Sequence, residues 1–204
     1  MLLAIPYHPA MPSDYTDFSV SLRKKGTNPG HSIVVISRRE HEEEAYAFAH
    51  SFATSFHRHF LAVIPDLDET LLETSNRMFK EAVKFHLNYK IEGNEMPNPP
   101  MTYFDVTWRP MRARWLDELQ SDYFLKGAPT VFAKFAPEEP GPPAPIGPVV
   151  LAKDFATKSK LLDFVPPSHH WRNYLAWEMR NLGVACDAFG DADPAYVRPF
   201  TPKK

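Results

Sequence analysis

The chain has 204 residues, of which 44% are hydrophobic and 13% aromatic, so it is long enough and apolar enough to fold around one substantial core. A formal net charge of −2 gives no electrostatic signal for nucleic-acid binding, and the single cysteine, Cys186, excludes a framework of internal disulfides. The apolar runs are too short to span a bilayer and the first residues lack the basic start of a signal peptide, so we expect a cytoplasmic protein with no membrane partner.

The first 65 residues alternate apolar runs with helical patterns. Strands are predicted at Leu2–Tyr7, Ile33–Ile36 and Phe60–Ile64, with a weakly helical stretch between the first two. Ser37 and Glu40 have the spacing of a capping box, which predicts the start of a helix. The apolar face of that helix consists of Ala45, Phe48, Ala49, Phe52, Phe56 and Phe60. The alternation predicts a mostly parallel central sheet with helices on both faces.

The second half continues the alternation. Helices are predicted over Leu71–Tyr89, from Pro110 to the stop signal Gly127, over Asp154–Phe164, and from a Ser168 cap to Gly183. Strands are predicted at Met101–Val106, Thr130–Phe135 and Pro148–Ala152. Residues 137–148 are so rich in proline that we expect an extended loop there, either an insertion or a lid. The result is a single α/β domain over residues 1–183, followed by an irregular tail over residues 184–204.

Asp105 is the first candidate for chemistry, because it lies at the carboxyl end of a predicted strand. Ligands of open α/β sheets bind at such strand ends, and a carboxylate there can hold a divalent metal that bridges a diphosphate. The alternative is a structural aspartate that only accepts hydrogen bonds from the loop before Pro110. Asp66 and Asp68 form a literal Asp-x-Asp after the third strand, which is either a second metal candidate or merely the acidic start of a helix.

Histidines give a further set of candidates. His169 and His170 can supply an imidazole to a site, or they can simply belong to the cap of the last helix. His50 and His57 are seven residues apart near the first long helix, and we expect them to be surface residues. The sequence has no HExxH motif, no glycine-rich dinucleotide fingerprint, no P-loop and no Gly-x-Ser-x-Gly. Their absence argues against a zincin metalloprotease, a dinucleotide-binding Rossmann enzyme, a P-loop NTPase and an α/β-hydrolase.

The segment Met101–Phe135 resembles a known family. A strand that ends in an aspartate, a following proline, a helix with Trp115-Leu116-Asp117 and a Gly-x-Pro lead into another strand are similar to the metal-and-nucleotide segment of GT-A-type glycosyltransferases. The small, divergent members found in phage genomes resemble it most. The strand in that family usually ends in Asp-x-Asp, whereas the triplet here is Asp105-Val106-Thr107, so the second carboxylate is missing. As an order of elements, the resemblance covers most of the chain.

The resemblance implies a GT-A-like fold of the nucleotide-diphospho-sugar transferase type, a nucleotide-sugar donor, a Mn²⁺ or Mg²⁺ ion and transfer of the sugar to an unknown hydroxyl acceptor. It implies Asp105 as the metal ligand, in one cleft with Asn76 and the loop that follows the first strand. The implied cofactor-binding residues are Tyr7, His8, Asn76, Arg77 and Thr107. The implied catalytic residues are His169, His170 and Asn173.

A second interpretation follows from the departures from the family pattern. Besides the missing second aspartate, a late acidic residue of the family is replaced here by Arg172 or Asn173. The chain is then a catalytically degenerate GT-A-like domain that serves as a binding or structural subunit, for example in a virion. A viral chain would work in the host cytoplasm.

Overall fold

The described residues of this computed structural model are 1–9, 12–25, 28–89, 99–138, 141–163, 168–182, 185–187 and 197–199. Their strands are β1 (Leu2–Pro6), β2 (Asn28–Arg38), β3 (Phe56–Ile64), β4 (Met101–Tyr103), β5 (Trp108–Pro110), β6 (Val131–Glu138), β7 (Gly141–Leu151), β8 (Ala185–Asp187) and β9 (Val197–Pro199). Their helices are α1 (Pro12–Lys24), α2 (Glu42–His50), α3 (Leu71–Asn88), α4 (Trp115–Leu125), α5 (Phe155–Lys158) and α6 (Trp171–Leu182). A 3₁₀ turn, Arg39–His41, precedes α2.

One seven-stranded sheet organises the fold, in the order β3-β2-β1-β4-β7-β6-β8. The first four of these strands are parallel, with Leu3 opposite Ile33 and Ile33 opposite His59. β7 runs antiparallel to β4 and to β6, and β8 pairs in parallel with β6. The sheet is therefore mixed but mostly parallel, which confirms the predicted α/β architecture.

Each face of the sheet carries its own apolar core. Because successive residues of a strand point to opposite faces, Leu3 and Ile5 of β1 pack under α1, α2 and α4, whereas Leu2 and Ala4 pack under α3, α5 and α6. Burial on both faces explains why β1 is apolar at nearly every position rather than alternating with polar residues. The helices lie on both faces, as predicted.

The helix predicted after Ser37 is wrong in its start and in its length. Ser37 lies inside β2, which continues to Arg38, and its hydroxyl donates to the Arg38 carbonyl at 3.0 Å instead of capping a helix. α2 ends at His50, and Phe56 and Phe60 belong to β3. Pairing of β2 with β3 outweighs the local helix pattern, because it satisfies backbone groups along both strands.

The starts of the next two helices differ in how well the sequence predicts them. α3 begins with a capping box, in which the Thr70 hydroxyl accepts from the Glu73 amide at 3.3 Å and the Glu73 carboxylate accepts from the Thr70 amide at 2.8 Å. Pro110 does not begin a helix, because it lies in β5 opposite Val197. α4 begins instead at Trp115, and the chain turns beyond it at Gly127, whose φ of 81° suits a residue without a Cβ.

The proline-rich segment is a paired strand and not the predicted loop or lid. Residues 141–148 belong to β7 and pair with β6, with Pro145 opposite Phe135 and Ile146 opposite Lys134. Among the described residues, β4 pairs with β7 only at Val149–Leu151, so no described strand pairs with the proline-rich part of β7 on that side, where prolines are tolerated. Parts of the predicted irregular tail are also strands, because β8 joins the main sheet and β9 pairs with β5.

Candidate functional site

Four parallel strands end at one edge of the sheet, and each end brings polar residues to it. Tyr7 and His8 follow β1, Arg38 ends β2, Asp66 follows β3 and Asp105 follows β4. β3, β2, β1 and β4 are neighbours in this order, so these residues form a row along the edge. In open α/β folds this is the edge at which ligands bind.

Asp105 has the structural role that the sequence offered as one of two alternatives, and its metal role stays a prediction. One carboxylate oxygen accepts from the Thr107 amide at 2.9 Å, and the Asp105 carbonyl accepts from the Trp108 amide at 3.0 Å, so the residue shapes the turn after β4. Among the described residues, no other side-chain bond is made by this carboxylate, which leaves its second oxygen for a ligand. Thr107, at the place of the missing aspartate, is exposed and offers only a hydroxyl.

Asn76 holds the start of α6 against α3. Its amide group donates from Nδ2 to the His169 carbonyl at 2.9 Å and accepts at Oδ1 from the Trp171 amide at 2.8 Å. Only 6% of the residue is exposed. Asn76, and not Ser168, therefore accepts from the first amide of α6, and the side chain positions the neighbouring histidines instead of facing open solvent.

His170 is held in one neutral form by its neighbours. Its Nδ1 accepts from the Arg172 amide at 3.2 Å, so Nε2 carries the proton and donates to the Ser75 hydroxyl at 3.1 Å. Burial, then the positive charge of Arg172, lowers the pKa of His170 to about 4, and Asp105 opposes this shift. At neutral pH His170 therefore serves as a hydrogen-bond donor and not as an acid.

Arg172 places a partly buried cation near Asp105. Its guanidinium donates to the Pro145 carbonyl at 2.8 Å and to the Gly147 carbonyl, and it lies 4.6 Å from the centre of the Trp171 ring. Burial lowers the pKa of Arg172, and the Asp105 charge opposes this shift most strongly. The charges of Arg172 and Asp105 also act on His170, in opposite directions, so these three side chains share one electrostatic environment.

The remaining predicted residues near this edge are mainly packed or paired. Tyr7 is 9% exposed, and its ring packs 4.7 Å from that of Tyr15. The His8 amide donates to the Tyr15 hydroxyl, and burial followed by the charges of His41 and Arg38 lowers the pKa of the His8 ring.

Arg77, His169 and Asn173 also contact other groups of the protein. Arg77 donates to Glu69 and to the Pro65 carbonyl, each at 2.6 Å. His169 is exposed, and its Nδ1 lies 3.0 Å from the Ser168 hydroxyl. The backbone amide of Asn173 donates to the His170 carbonyl at 3.0 Å. Sequence reasoning assigned no role to Ser75 or Arg38, although both are polar residues beside predicted site positions.

A metal ion fits this site only as part of a larger complex. No three His, Cys, Asp or Glu side chains converge on a metal position within the described ranges. Asp66, the alternative candidate, accepts from the Glu40 amide at 3.1 Å and lies 3.6 Å from Arg38. If a Mn²⁺ or Mg²⁺ ion bound here, Asp105 would supply one oxygen ligand, and phosphate oxygens and water would have to complete the shell.

Comparison with known proteins gives structural relatives but no sequence relatives. Neither a protein-family model nor a curated protein sequence matches the chain. Mouse xyloside xylosyltransferase 1 matches with a TM-score of 0.50 and 13% identity, over 88% of this chain and 75% of that one. The glycosyltransferase GlyE of Streptococcus pneumoniae matches with a TM-score of 0.56 and 8% identity, over 91% and 44%. The galactosyltransferase LgtC, solved with donor and acceptor sugar analogues, matches with a TM-score of 0.53 and 11% identity, over 91% and 72%.

These likenesses show the fold. The chain has the GT-A fold that glycosyltransferases and nucleotide-diphospho-sugar transferases share, as the sequence resemblance predicted. It spans less than half of the GlyE structure. In the part of the chain that the structure describes, no helix has the length and apolar character that crossing a membrane requires.

Proposed function

We propose that the protein is a glycosyltransferase, which binds a nucleotide-sugar donor at the edge where β1 to β4 end and transfers the sugar to a hydroxyl acceptor. The observation that carries this proposal is the position of Asp105, two residues after the end of β4 in a GT-A fold, where its charge opposes the lowering of the pKa of His170 and of Arg172. Strand ends and helix N-termini together favour a diphosphate at this edge.

Mn²⁺ or Mg²⁺ is the metal proposed for this site, held by Asp105 and the phosphate oxygens of the donor. Such an ion would stabilise the negative charge that develops on a departing diphosphate. His8 and Thr107 border the same edge and are proposed to contact the donor, together with Tyr7. Asn76 and Arg77 are proposed to support the donor site without contacting the donor, because their polar atoms already bond to other protein groups.

His169, His170 and Asn173 are proposed to lie on the acceptor side of the reaction. His170 donates from Nε2 to Ser75, so it can orient an oxygen but cannot remove a proton in this form. His169 is exposed at the start of α6 and is therefore the residue proposed to meet the acceptor hydroxyl.

A non-catalytic role is the second candidate, and one observation favours it. Arg172 is a cation near Asp105, where the family pattern has an acidic residue, so it offsets part of the charge that a metal would need. In that case the domain binds a nucleotide sugar, or serves as a structural subunit, without transferring sugar. An origin in a phage or virion stays a prediction from the sequence.

Nucleotide release separates the two candidates. The wild-type chain is incubated with Mn²⁺ and each of several nucleotide sugars, and the released nucleoside diphosphate is measured. Release that Asp105→Asn abolishes and Asp66→Asn leaves unchanged is the expected result. Binding of a nucleotide sugar without release of nucleoside diphosphate, whichever hydroxyl acceptor is added, supports the non-catalytic domain instead.

A further inference from the structure

We propose that His50 and His59 form a binding site for a divalent transition metal such as Zn²⁺, Ni²⁺ or Cu²⁺. His50 is the last residue of α2, and His59 lies on β3, the edge strand of the main sheet. The Nδ1 atom of His50 lies 3.4 Å from the Nε2 atom of His59, and the ring centres are 5.3 Å apart.

The separation of the two nitrogens matches what a metal requires. Zinc binds histidine nitrogens at about 2.0–2.1 Å in tetrahedral geometry, which places two such nitrogens about 3.4 Å apart. The nitrogens of His50 and His59 have this separation without any movement of the backbone. A metal enters when each ring carries its proton on the outer nitrogen, so that both inner lone pairs point at the ion.

The surroundings of His50 favour a cation. His50 occupies the C-terminus of α2, where the helix dipole is negative. The ring of Tyr46 lies nearly parallel to that of His50, at 7° and 5.9 Å between centres, and so restricts its orientation.

The ligand type decides which metals the pair takes. Imidazole suits zinc, copper and nickel, whereas magnesium and manganese prefer oxygen. No third His, Cys, Asp or Glu completes the group in the described part of the chain, so water or a ligand from another molecule fills the remaining positions. The site is separate from Asp105, because β2 and β1 lie between β3 and β4 in the sheet. A bound ion would join the end of α2 to the edge strand.

Calorimetry on the full chain without a histidine tag tests the site, with Zn²⁺ and then Ni²⁺ as the titrant. Removal of a residue that merely supports a metal ligand costs about 10- to 100-fold in affinity, so His50→Ala and His59→Ala should each weaken binding by at least about tenfold. The matched control is His57→Ala, which removes an exposed histidine two residues away on the same strand. We expect it, and Asp105→Ala, to bind like wild type.

A second readout covers the case in which a variant folds poorly. Zn²⁺ should raise the Tm of the wild-type chain and of His57→Ala, but not that of His50→Ala or of His59→Gln, because only an intact pair binds the ion in the folded state. Absence of Zn²⁺ and Ni²⁺ binding by the wild-type chain overturns the proposal. A loss in His57→Ala as large as that in His59→Ala also overturns it, since the ligands would then be different residues.

Discussion

Single side chains connect the two halves of the candidate site. Asn76 on α3 bonds to the backbone at both His169 and Trp171, and Ser75 bonds to His170. These contacts join residues more than ninety positions apart in the sequence. Spacing along one helix cannot reveal such partners, so the sequence predicts Asn76, His169 and His170 as site residues but not the bonds that join α3 to their segment.

Asn76→Ala should destabilise the fold. It leaves the His169 carbonyl and the Trp171 amide without their partner, and a buried polar group left unsatisfied costs about 1–3 kcal/mol. Chemical denaturation measures the free energy of unfolding. The matched control is Asn88→Ala, an exposed asparagine on the same helix, which should change it by less than about 0.5 kcal/mol. Equal effects of the two substitutions would contradict the positioning role of Asn76.

The pKa of His170 predicts a loss of stability in acid. Its value of about 4 lies below the ordinary 6.5, so between these pH values the unfolded chain binds a proton that the folded chain does not. The free energy of unfolding therefore falls as the pH falls through this window. The buried His86 is shifted in the same direction, to about 4, so His170→Gln should remove only part of the loss.

Denaturation at pH 7 and at pH 4.5 gives the size of this effect. Because His170 is only partly buried, we expect its share to be roughly 1–2 kcal/mol after allowance for solvent screening. The control His57→Gln changes an exposed histidine and should lose as much stability in acid as wild type. An acid loss in His170→Gln equal to that of wild type would show that His170 is not held neutral.

The elements divide into those that the sequence specifies locally and those that it does not. The sequence predicts α3 nearly to the residue from its apolar stripe alone, and the structure adds a capping box at Thr70 that fixes the start. The helix after Ser37 was predicted too long, because Phe52, Phe56 and Phe60 continue a helical spacing while the chain turns and enters β3. An apolar face predicts burial in either structure, so the core residues were identified better than the element that carries them.

Phe52→Ala tests whether a residue predicted to be buried on a helix is part of the core although it lies outside that helix. Phe52 is fully buried in the turn between α2 and β3, and its ring meets those of Phe18, Phe48 and Phe56. Truncation of a buried phenylalanine costs about 3–5 kcal/mol in the free energy of unfolding. Phe124→Ala, at a residue that is 44% exposed, is the control and should cost much less. A stability like that of wild type for Phe52→Ala would contradict its place in the core.

At the scale of the whole molecule, the parallel half of the sheet follows from the sequence and the antiparallel half does not. Strand and helix alternate through β1, β2 and β3, which leaves few topologies open. The hairpin of β6 and β7 contains prolines that normally oppose strand formation, and only the shortness of β4 leaves them an unpaired side. The position of Asp105 at this edge is predictable, because the residue follows a parallel strand. The approach of Arg172 to Asp105 results from tertiary packing and has no signal in the sequence.

The proposed function requires Asp105 to bind a metal together with a donor diphosphate. Calorimetry tests it directly: Mn²⁺ is added alone, and then UDP, GDP, CDP and ADP are each added with and without Mn²⁺, to wild type, to Asp105→Ala and to the control Asp66→Ala. We expect Mn²⁺ alone to bind very weakly, because the chain supplies one carboxylate, and to strengthen binding of one nucleotide in wild type and Asp66→Ala but not in Asp105→Ala. The same Mn²⁺-dependent nucleotide binding in Asp105→Ala as in wild type would contradict this role of Asp105.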